Sequence, residues 1–412
     1  MGPNLDKLKG IMTDATEPST SEPEFTIRIV NHIGDVARDT WDGLANPPGV
    51  AFDPFVSWDF LQALEESGCA TSFTGWGGRH LLCLDGAQNV VGLVPLWLKS
   101  HSQGEYIFDH NFAEAWQRAG GRWYPKLTSA VPFTPVPGRR LLVKPDEDAS
   151  LIRVALISAL EQIGAQSGLA TVQVNFAKDD DLAALESCNW LLREDRQFHF
   201  FNQGYSSFDD FLAELSSDKR KNLRKERAKA QEGLEILRLT GAEIQEDHWD
   251  HFFECYQDTG ARKWGTPYLN RRFFSLLGER MADRLVLILA KDEDRYIASA
   301  LNFLGSDAIF GRWWGRLEDR PFLHFELCYY QAIDEAIARG LARVEAGAQG
   351  GHKLARGYMP VSTWQASWIA DRGLRSAIAD YLKHERAAIA DDTHWLTERT
   401  PFRHVVQQVD RP

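Results

Sequence analysis

The chain carries the same pattern twice, at an offset of 203–208 residues. Trp41-Asp42 opens a helical segment that leads into FVSWDFLQALEESG, and Trp249-Asp250 opens HWDHFFECYQDTG, which leads into YLNRRFFSLLGERM. Two apolar strands follow in each copy. They are Arg79–Leu84 and Val90–Leu98 around the turn Asp85–Asn89, then Arg284–Ala290 and Tyr296–Leu304 around Lys291–Arg295. A third strand is expected at Glu105–His110 and at Ala308–Gly315. Chance similarity seldom holds one offset over so many separate segments, so the chain is expected to fold as two copies of one α/β unit.

Length agrees with this reading, because 412 residues are long for one domain and comfortable for two. The composition, 44% hydrophobic and 25% charged, is that of an ordinary globular chain with a sizeable core. The net charge of −12 argues against a dedicated nucleic-acid binder, which needs basic surface to neutralise phosphates. Five cysteines without CxxC or Cys/His spacing read as reduced core thiols in a cytoplasmic protein. No apolar run reaches the ~18 residues of a membrane span. Residues 1–24 lack the apolar core of a signal peptide, and their Pro, Ser, Thr and Glu content predicts a disordered tail. Fourteen tryptophans suit an aromatic-lined cavity for a bulky acyl or lipid-like substrate.

Residues 321–358, PFLHFELCYYQAIDEAIARGLARVEAGAQGGHKLARGY, are the most informative single stretch. Pro321 suits a first helical position, Leu323, Leu327, Tyr330, Ile333 and Ile337 recur on one helix face, and Gly340 supplies a C-cap. Leu341–Ala346 alternates like a strand, and Gly347, Gly350 and Gly351 allow a sharp bend before His352 and Lys353. A helix ending in Arg-Gly, a strand with an acidic residue, a glycine turn and a lysine resemble the second half of the Fem-like acyltransferases of the GNAT superfamily, in their predicted N-acyltransferase branch. That resemblance implies an α/β fold of two tandem GNAT-like domains with mixed sheets. It divides the chain into a tail (1–24), an N-terminal domain (25–204) and a C-terminal domain (205–412) that carries the active site. Leu192–Phe201 reads as the last strand of the first half, with Ser206 or Ser207 capping the next helix. The proline-rich segment 111–140 shows no useful helical period and is expected to roof the site, with Tyr124, Lys126 and Phe133 facing the ligand.

The run 218–234 packs Lys219, Arg220, Lys221, Arg224, Lys225, Arg227 and Lys229 around a single Glu226. The resemblance places a similar basic segment at the entry to the second half, as a clamp for phosphate on a donor or acceptor. A solvated helix face is the plainer reading. The resemblance also implies a donor lying where the fourth and fifth strands splay, here Ala308–Gly315 and Ala342–Gly347. The usual coenzyme A loop before the intervening helix is absent, and GRLEDRPFLH stands there instead. Acyl transfer to an amine needs a base, an oxyanion donor and alignment. Candidate bases are Glu345, Glu326, His324 and His352, and Lys353 is placed to hold an anion or stabilise developing charge. Arg312, Trp313, Trp314, Tyr329 and Gln349 are expected to line the groove. Lys263 and Trp264, in the shaped loop GARKWGTPYLN, form a further wall.

The resulting expectation is metal-free N-acyl transfer from acyl-CoA, or from acyl-phosphopantetheine on an acyl carrier protein, as co-substrate. The acceptor is a primary amine such as a long-chain lipid amine, and no cofactor is permanently bound. The expected location is cytoplasmic, with peripheral contact at the inner membrane left open. Fem-type transfer from aminoacyl-tRNA ranks second, since an acidic chain without a long charged heptad arm suits tRNA poorly. A non-catalytic binding module on the same fold ranks third.

Overall fold

The computed structural model describes residues 25–403 apart from 147, 264–266 and 348–349. The expected tail at 1–24 lies outside the described residues. In chain order, the first half contains β1 (Thr26–Val30), α1 (Arg38–Ala45), α2 (Trp58–Glu66), β2 (Trp76–Gly78), β3 (His80–Leu84), β4 (Val90–Val94), β5 (Trp97–Lys99), α3 (His110–Arg118), β6 (Lys126–Ser129), β7 (Leu142–Val143), α4 (Ala149–Gln166), β8 (Thr171–Ala177), α5 (Asp179–Ser187) and β9 (Leu191–Phe201). The second half contains α6 (Phe208–Glu214), α7 (Ser217–Gln231), β10 (Glu235–Thr240), α8 (Glu246–Lys263), α9 (Arg271–Met281), β11 (Leu285–Asp292), β12 (Arg295–Leu304), β13 (Ala308–Arg316), α10 (Leu323–Phe325), α11 (Gln331–Ala338), β14 (Arg343–Glu345), β15 (Met359–Ile369) and α12 (Arg372–Glu398). A π-helical turn, Glu326–Tyr330, joins α10 to α11.

The repeat is visible in the pairing. β1 runs antiparallel to β3 and β3 to β4, as β10 does to β11 and β11 to β12. Each half then makes one parallel pair, β6 with β8 and β13 with β14, bridged by a helical crossover. The two tryptophans that open the copies, Trp41 and Trp249, are both buried in one core shared by the halves. In that core Phe60 meets Phe273 edge-on at 5.8 Å, where α2 packs against α9, and Phe55 meets Phe303 at 5.0 Å.

The halves also exchange their last strands. β9, from the first half, lies between β14 and β15 of the second, and β15 lies between β9 and β8. β9 and β15 pair antiparallel over nine positions, from Met359↔His199 to Ser367↔Leu191. The result is an eleven-stranded sheet, ordered β10-β11-β12-β13-β14-β9-β15-β8-β6-β5-β2, beside a four-stranded sheet β1-β3-β4-β7.

Four expectations are corrected. Glu105–His110 is not a strand, because Glu105 and Asp109 turn in to a buried lysine described below. Val90–Leu98 is broken at Pro95, which cannot donate to a ladder, so β4 joins the small sheet and β5 the large one. The segment 111–140 holds a helix, α3, whose N-cap region is fixed by the same buried cluster. The helix after β13 begins at Leu323 rather than Pro321, with Phe322 at the N-cap in the left-handed region at φ 63°. Ser207 does cap α6, accepting from the Asp210 N–H at 3.1 Å.

Candidate active site

β13 and β14 pair only from Ala308↔Arg343 to Phe310↔Glu345. β13 then runs on to Arg316 against β12, so among the described residues no strand pairs with its β14-side edge from Gly311 onward, and the Arg316 backbone bonds side chains of α8 instead. A bulge sits at this point: Asn302 faces Gly311 while Leu301 faces Trp313, leaving Arg312 as the extra residue. The bulge keeps Phe310 and Trp313 in the same core and turns Arg312 out of the alternation. Gly315 is required nearby, since a Cβ there would lie 2.0 Å from the Cys255 carbonyl of α8.

Four polar side chains converge on the splay. Lys353 is 1% exposed, and its Nζ donates to the Gly347 carbonyl at 2.7 Å. Burial, reinforced by the nearby Arg312 charge, pulls its pKa down to about 7. Glu345 is 4% exposed. Its Oε1 accepts from Arg343 Nε at 2.8 Å, whereas Oε2 has no hydrogen-bond partner among the described residues and lies 3.8 Å from His199 Nε2. Burial drives the His199 pKa to about 4 despite that carboxylate, so the ring is neutral at pH 7. Arg312 lies within electrostatic reach of both Glu345 and Lys353.

Glu345, His199 and Arg343 open onto a cleft of about 1420 Å³, which Lys178, Tyr205 and Thr363 also line. On the helix side of the splay stands an aromatic wall. Trp314 and His324 meet at 4.3 Å with their rings tilted by 35°, the Tyr329 hydroxyl meets His352 Nε2 at 2.9 Å, and Arg356 lies over Phe325 at 3.4 Å. The π-turn beneath supplies Tyr329, an irregularity that often marks functional sites.

Other expected residues go elsewhere. Glu326 is fully buried between α7 and the π-turn, where Oε1 accepts from Gln331 at 2.6 Å, Gln231 at 2.8 Å and Arg227 at 3.3 Å, so it does not reach the groove. Trp313 lies in the shared core rather than on the groove. Lys126 is fully buried, and its Nζ donates to Asp109 at 2.6 Å and to Ser102, Glu105 and Gln173 at 2.8 Å each, so it faces no open ligand surface. Tyr124 bonds Ser102 at 2.8 Å, and Phe133 is buried and stacks on Tyr268 at 5.0 Å. Gln349, Trp264 and the side chain of Lys263 fall outside the described residues.

The basic run forms α7, which packs against α10 and the π-turn through its Glu226–Gln231 end. Arg224 pairs with Asp209 at 2.8 Å, and Lys229 pairs with Glu232. Lys219, Arg220, Lys221 and Lys225 have no carboxylate within ion-pair distance among the described residues, and Lys221 and Lys225 are exposed.

Among the described residues the matching splay of the first half is closed. This splay, past Ser129 and Val174, is filled by the chain's own segment, where Gly138 bridges to Ala177 and Arg140 donates to the carbonyls of Asn175 and Val136 at 3.1 and 2.6 Å. His199 escaped sequence reading because it arrives on the exchanged strand. Its only signal was a polar residue amid the apolar run QFHFF.

The His199 environment carries a stability prediction. Its folded pKa lies below the ordinary value of 6.5, so the unfolded chain takes up the proton first as pH falls. Stability should therefore decline from about pH 6.5 towards pH 4, at up to ~1.4 kcal/mol per pH unit from this group. Urea midpoints measured between pH 7 and 5 should fall less in His199→Gln. An identical slope in both proteins would show that His199 is not desolvated as described.

Among solved structures, FemX matches at TM-score 0.52 and 12% identity, covering 84% of this chain and 98% of FemX. L-PGS from Bacillus licheniformis gives TM-score 0.46 at 11% identity, covering 81% of this chain and 98% of the other. A tandem GNAT protein from the clavulanic acid biosynthesis pathway gives 0.45 at 12%, covering 84% and 99%. No curated protein matches the chain. The FemX likeness agrees with the doubled α/β fold, and residues 32–404 match the FemAB-like model described as peptidoglycan biosynthesis/recognition: the chain belongs to the FemAB-like family.

Proposed function

We propose that the second half transfers an acyl group from an activated carbonyl donor to a primary amine. The observation that carries this reading is the meeting, at one strand splay, of a buried lysine and a carboxylate oxygen that, among the described residues, have respectively no acidic partner and no donor. In the proposed reaction the amine enters from the cleft and Glu345 Oε2 accepts its proton, with neutral His199 beside it. The amine nitrogen bonds the acyl carbon, and the carbonyl electrons move onto oxygen. Lys353 holds that oxyanion, and a buried cation aimed at developing charge acts most strongly at the transition state. Collapse restores the carbonyl, breaks the bond to the leaving group and releases the amide.

The donor favoured here is a phosphopantetheine thioester, as acyl-CoA or on an acyl carrier protein. Its amides would pair with the free edge of β13, and its phosphate would reach α7. The leaving thiolate takes a proton from water or from the protonated Glu345. A lipid amine acceptor and peripheral contact with a membrane remain part of the proposal, and no helix among the described residues is long and apolar enough to cross one. A second reading, transfer from aminoacyl-tRNA, draws on the four unpaired cations of α7.

The test is an assay of purified protein with acyl-CoA, acyl carrier protein and charged tRNA donors, at several salt concentrations. Thioester-dependent activity with a shallow salt response is expected, together with a loss of at least ~10²-fold in Glu345→Gln, the range for a general base. Activity that needs intact tRNA, with a log–log salt slope of roughly −0.7 to −0.9 per phosphate, would establish the second reading instead. Undiminished activity in Glu345→Gln would remove the carboxylate from the mechanism.

A further inference from the structure

We infer that Arg312 recognises a carboxylate on the amine acceptor, so that the acceptor is an amino acid or a molecule ending in one rather than a plain amine. This rests on the transfer reading above and narrows its substrate class.

The other interior arginines each have partners. Arg343 pairs with Glu345 and Asp307, Arg356 with Glu226, Arg153 with Asp180 and Asp181, and Arg140 is saturated by carbonyls. Arg312 differs. Its Nε is fully buried without a partner, as is that of Arg356, but Arg356 bonds through both terminal nitrogens whereas the Arg312 guanidinium makes no hydrogen bond or ion pair among the described residues. Burial has pulled its pKa down to about 10, and the nearby Tyr106 and Glu345 offset that only in part. A half-buried cation left in this state costs stability, and the bulge that places it breaks the β12–β13 register. A ligand anion would offset both costs.

Position and chemistry narrow the anion. Arg312 sits within electrostatic reach of Tyr106 and of Glu345, the carboxylate proposed to deprotonate the amine. A planar guanidinium fork takes a carboxylate or a phosphate equally well in shape. Glu345 already places negative charge nearby, so a singly charged carboxylate is repelled less than a dianionic phosphate. In the proposed reaction the donor phosphates have their own cations on α7, which packs against α10 and the π-turn. The carboxylate therefore belongs to the acceptor, a few bonds from the amine that Glu345 deprotonates.

The experiment uses the full chain and a saturating donor, with matched acceptors: α- and ω-amino acids, their methyl esters, and phosphoethanolamine. Free amino acids should show kcat/KM roughly 10- to 100-fold above their esters, the size of a charge-assisted hydrogen-bond pair. In Arg312→Gln the acid-to-ester ratio should collapse towards one, through KM, and Arg312→Lys should restore part of it. Equal use of acids and esters by the parent protein, a preference for phosphoethanolamine, or equal losses on acid and ester in Arg312→Gln would each overturn the assignment while leaving the transfer reading intact. Calorimetric titration of a free amino acid without donor gives a readout apart from activity. Binding lost in Arg312→Gln, in a protein that acylates no amine, would uphold carboxylate recognition and defeat the transfer reading. Retention of the parent's thermal midpoint by the variant excludes misfolding as the cause.

Discussion

Lys353→Met is expected to slow acyl transfer by roughly 10²–10³-fold, the cost of removing one oxyanion donor, while the protein keeps or raises its thermal midpoint. The two effects have one cause. Lys353 is nearly fully buried, bonds a single carbonyl and faces the Arg312 cation rather than an acid, so its charge is a burden on the folded state. Its pKa falls from 10.5 unfolded to about 7 folded. Below pH 7 the folded protein carries the whole penalty, and between pH 7 and 10.5 it sheds the proton that the unfolded chain still holds. The stability gained by methionine should therefore be greatest at and below neutrality and fade towards pH 10.5. Differential scanning calorimetry across that range, beside a steady-state assay, checks both halves of the expectation. A variant that melts well below its parent would show Lys353 to be a prop for the glycine loop through the Gly347 carbonyl. A variant with normal turnover would remove the oxyanion role.

Lys126→Met should have the opposite character, with a loss of ~3–5 kcal/mol in folding free energy, the usual result of deleting one partner of a buried ion pair. Here burial works against the lysine's charge, but the carboxylates of Glu105 and Asp109 more than offset it and hold the pKa above its usual value. Asp109 in turn is held down at about 2, against the effect of burial, by Lys126 and by donors that include Ser102 and Trp123. Removing the ammonium leaves both carboxylates buried, with only Lys99 nearby at 4.0 Å from Glu105. The segment 101–109, which winds around Lys126, would lose its anchor, and with it the left-handed backbone at Tyr106 (φ 58°). Urea unfolding measures the loss, and adding Asp109→Asn should recover part of it by removing one unpaired charge. An unchanged midpoint in Lys126→Met would mean that the cluster is not ionised.

Lysines 126 and 353 look alike in the sequence, each expected to face a ligand, yet the fold gives them opposite surroundings: two carboxylates meet Lys126, and a carbonyl and the Arg312 cation meet Lys353. A lysine's role depends on whether an acid meets it in the fold. Glu105 and Asp109 reach Lys126 from a segment whose spacing imitates a strand, so local pattern concealed the pairing. Lys353 follows a strand and a glycine turn that define its position by themselves, and it was legible. Glu326 misled for a related reason. Its place in the first turns of a helix was read correctly, but Arg227, Gln231 and Gln331 pin it from three directions, two of them on a helix about a hundred residues away.

The doubled order of elements, the parallel crossover in the second half and the strand-turn-lysine segment all follow from local periodicity and turn chemistry, which act over ten to twenty residues. The exchange of β9 and β15 does not, because an exchanged and an unexchanged strand have the same alternation and bury the same residues. Only the assembled sheet decides which edge each strand takes. That choice brings His199 across from the first half to within 3.8 Å of Glu345. It is also the tertiary fold that fills one splay with Gly138 and Arg140 and leaves the other edged by the unpaired half of β13. Pairings between segments a hundred or more residues apart are settled by the packing of the whole chain, so the two copies, alike in pattern, end with one groove between them.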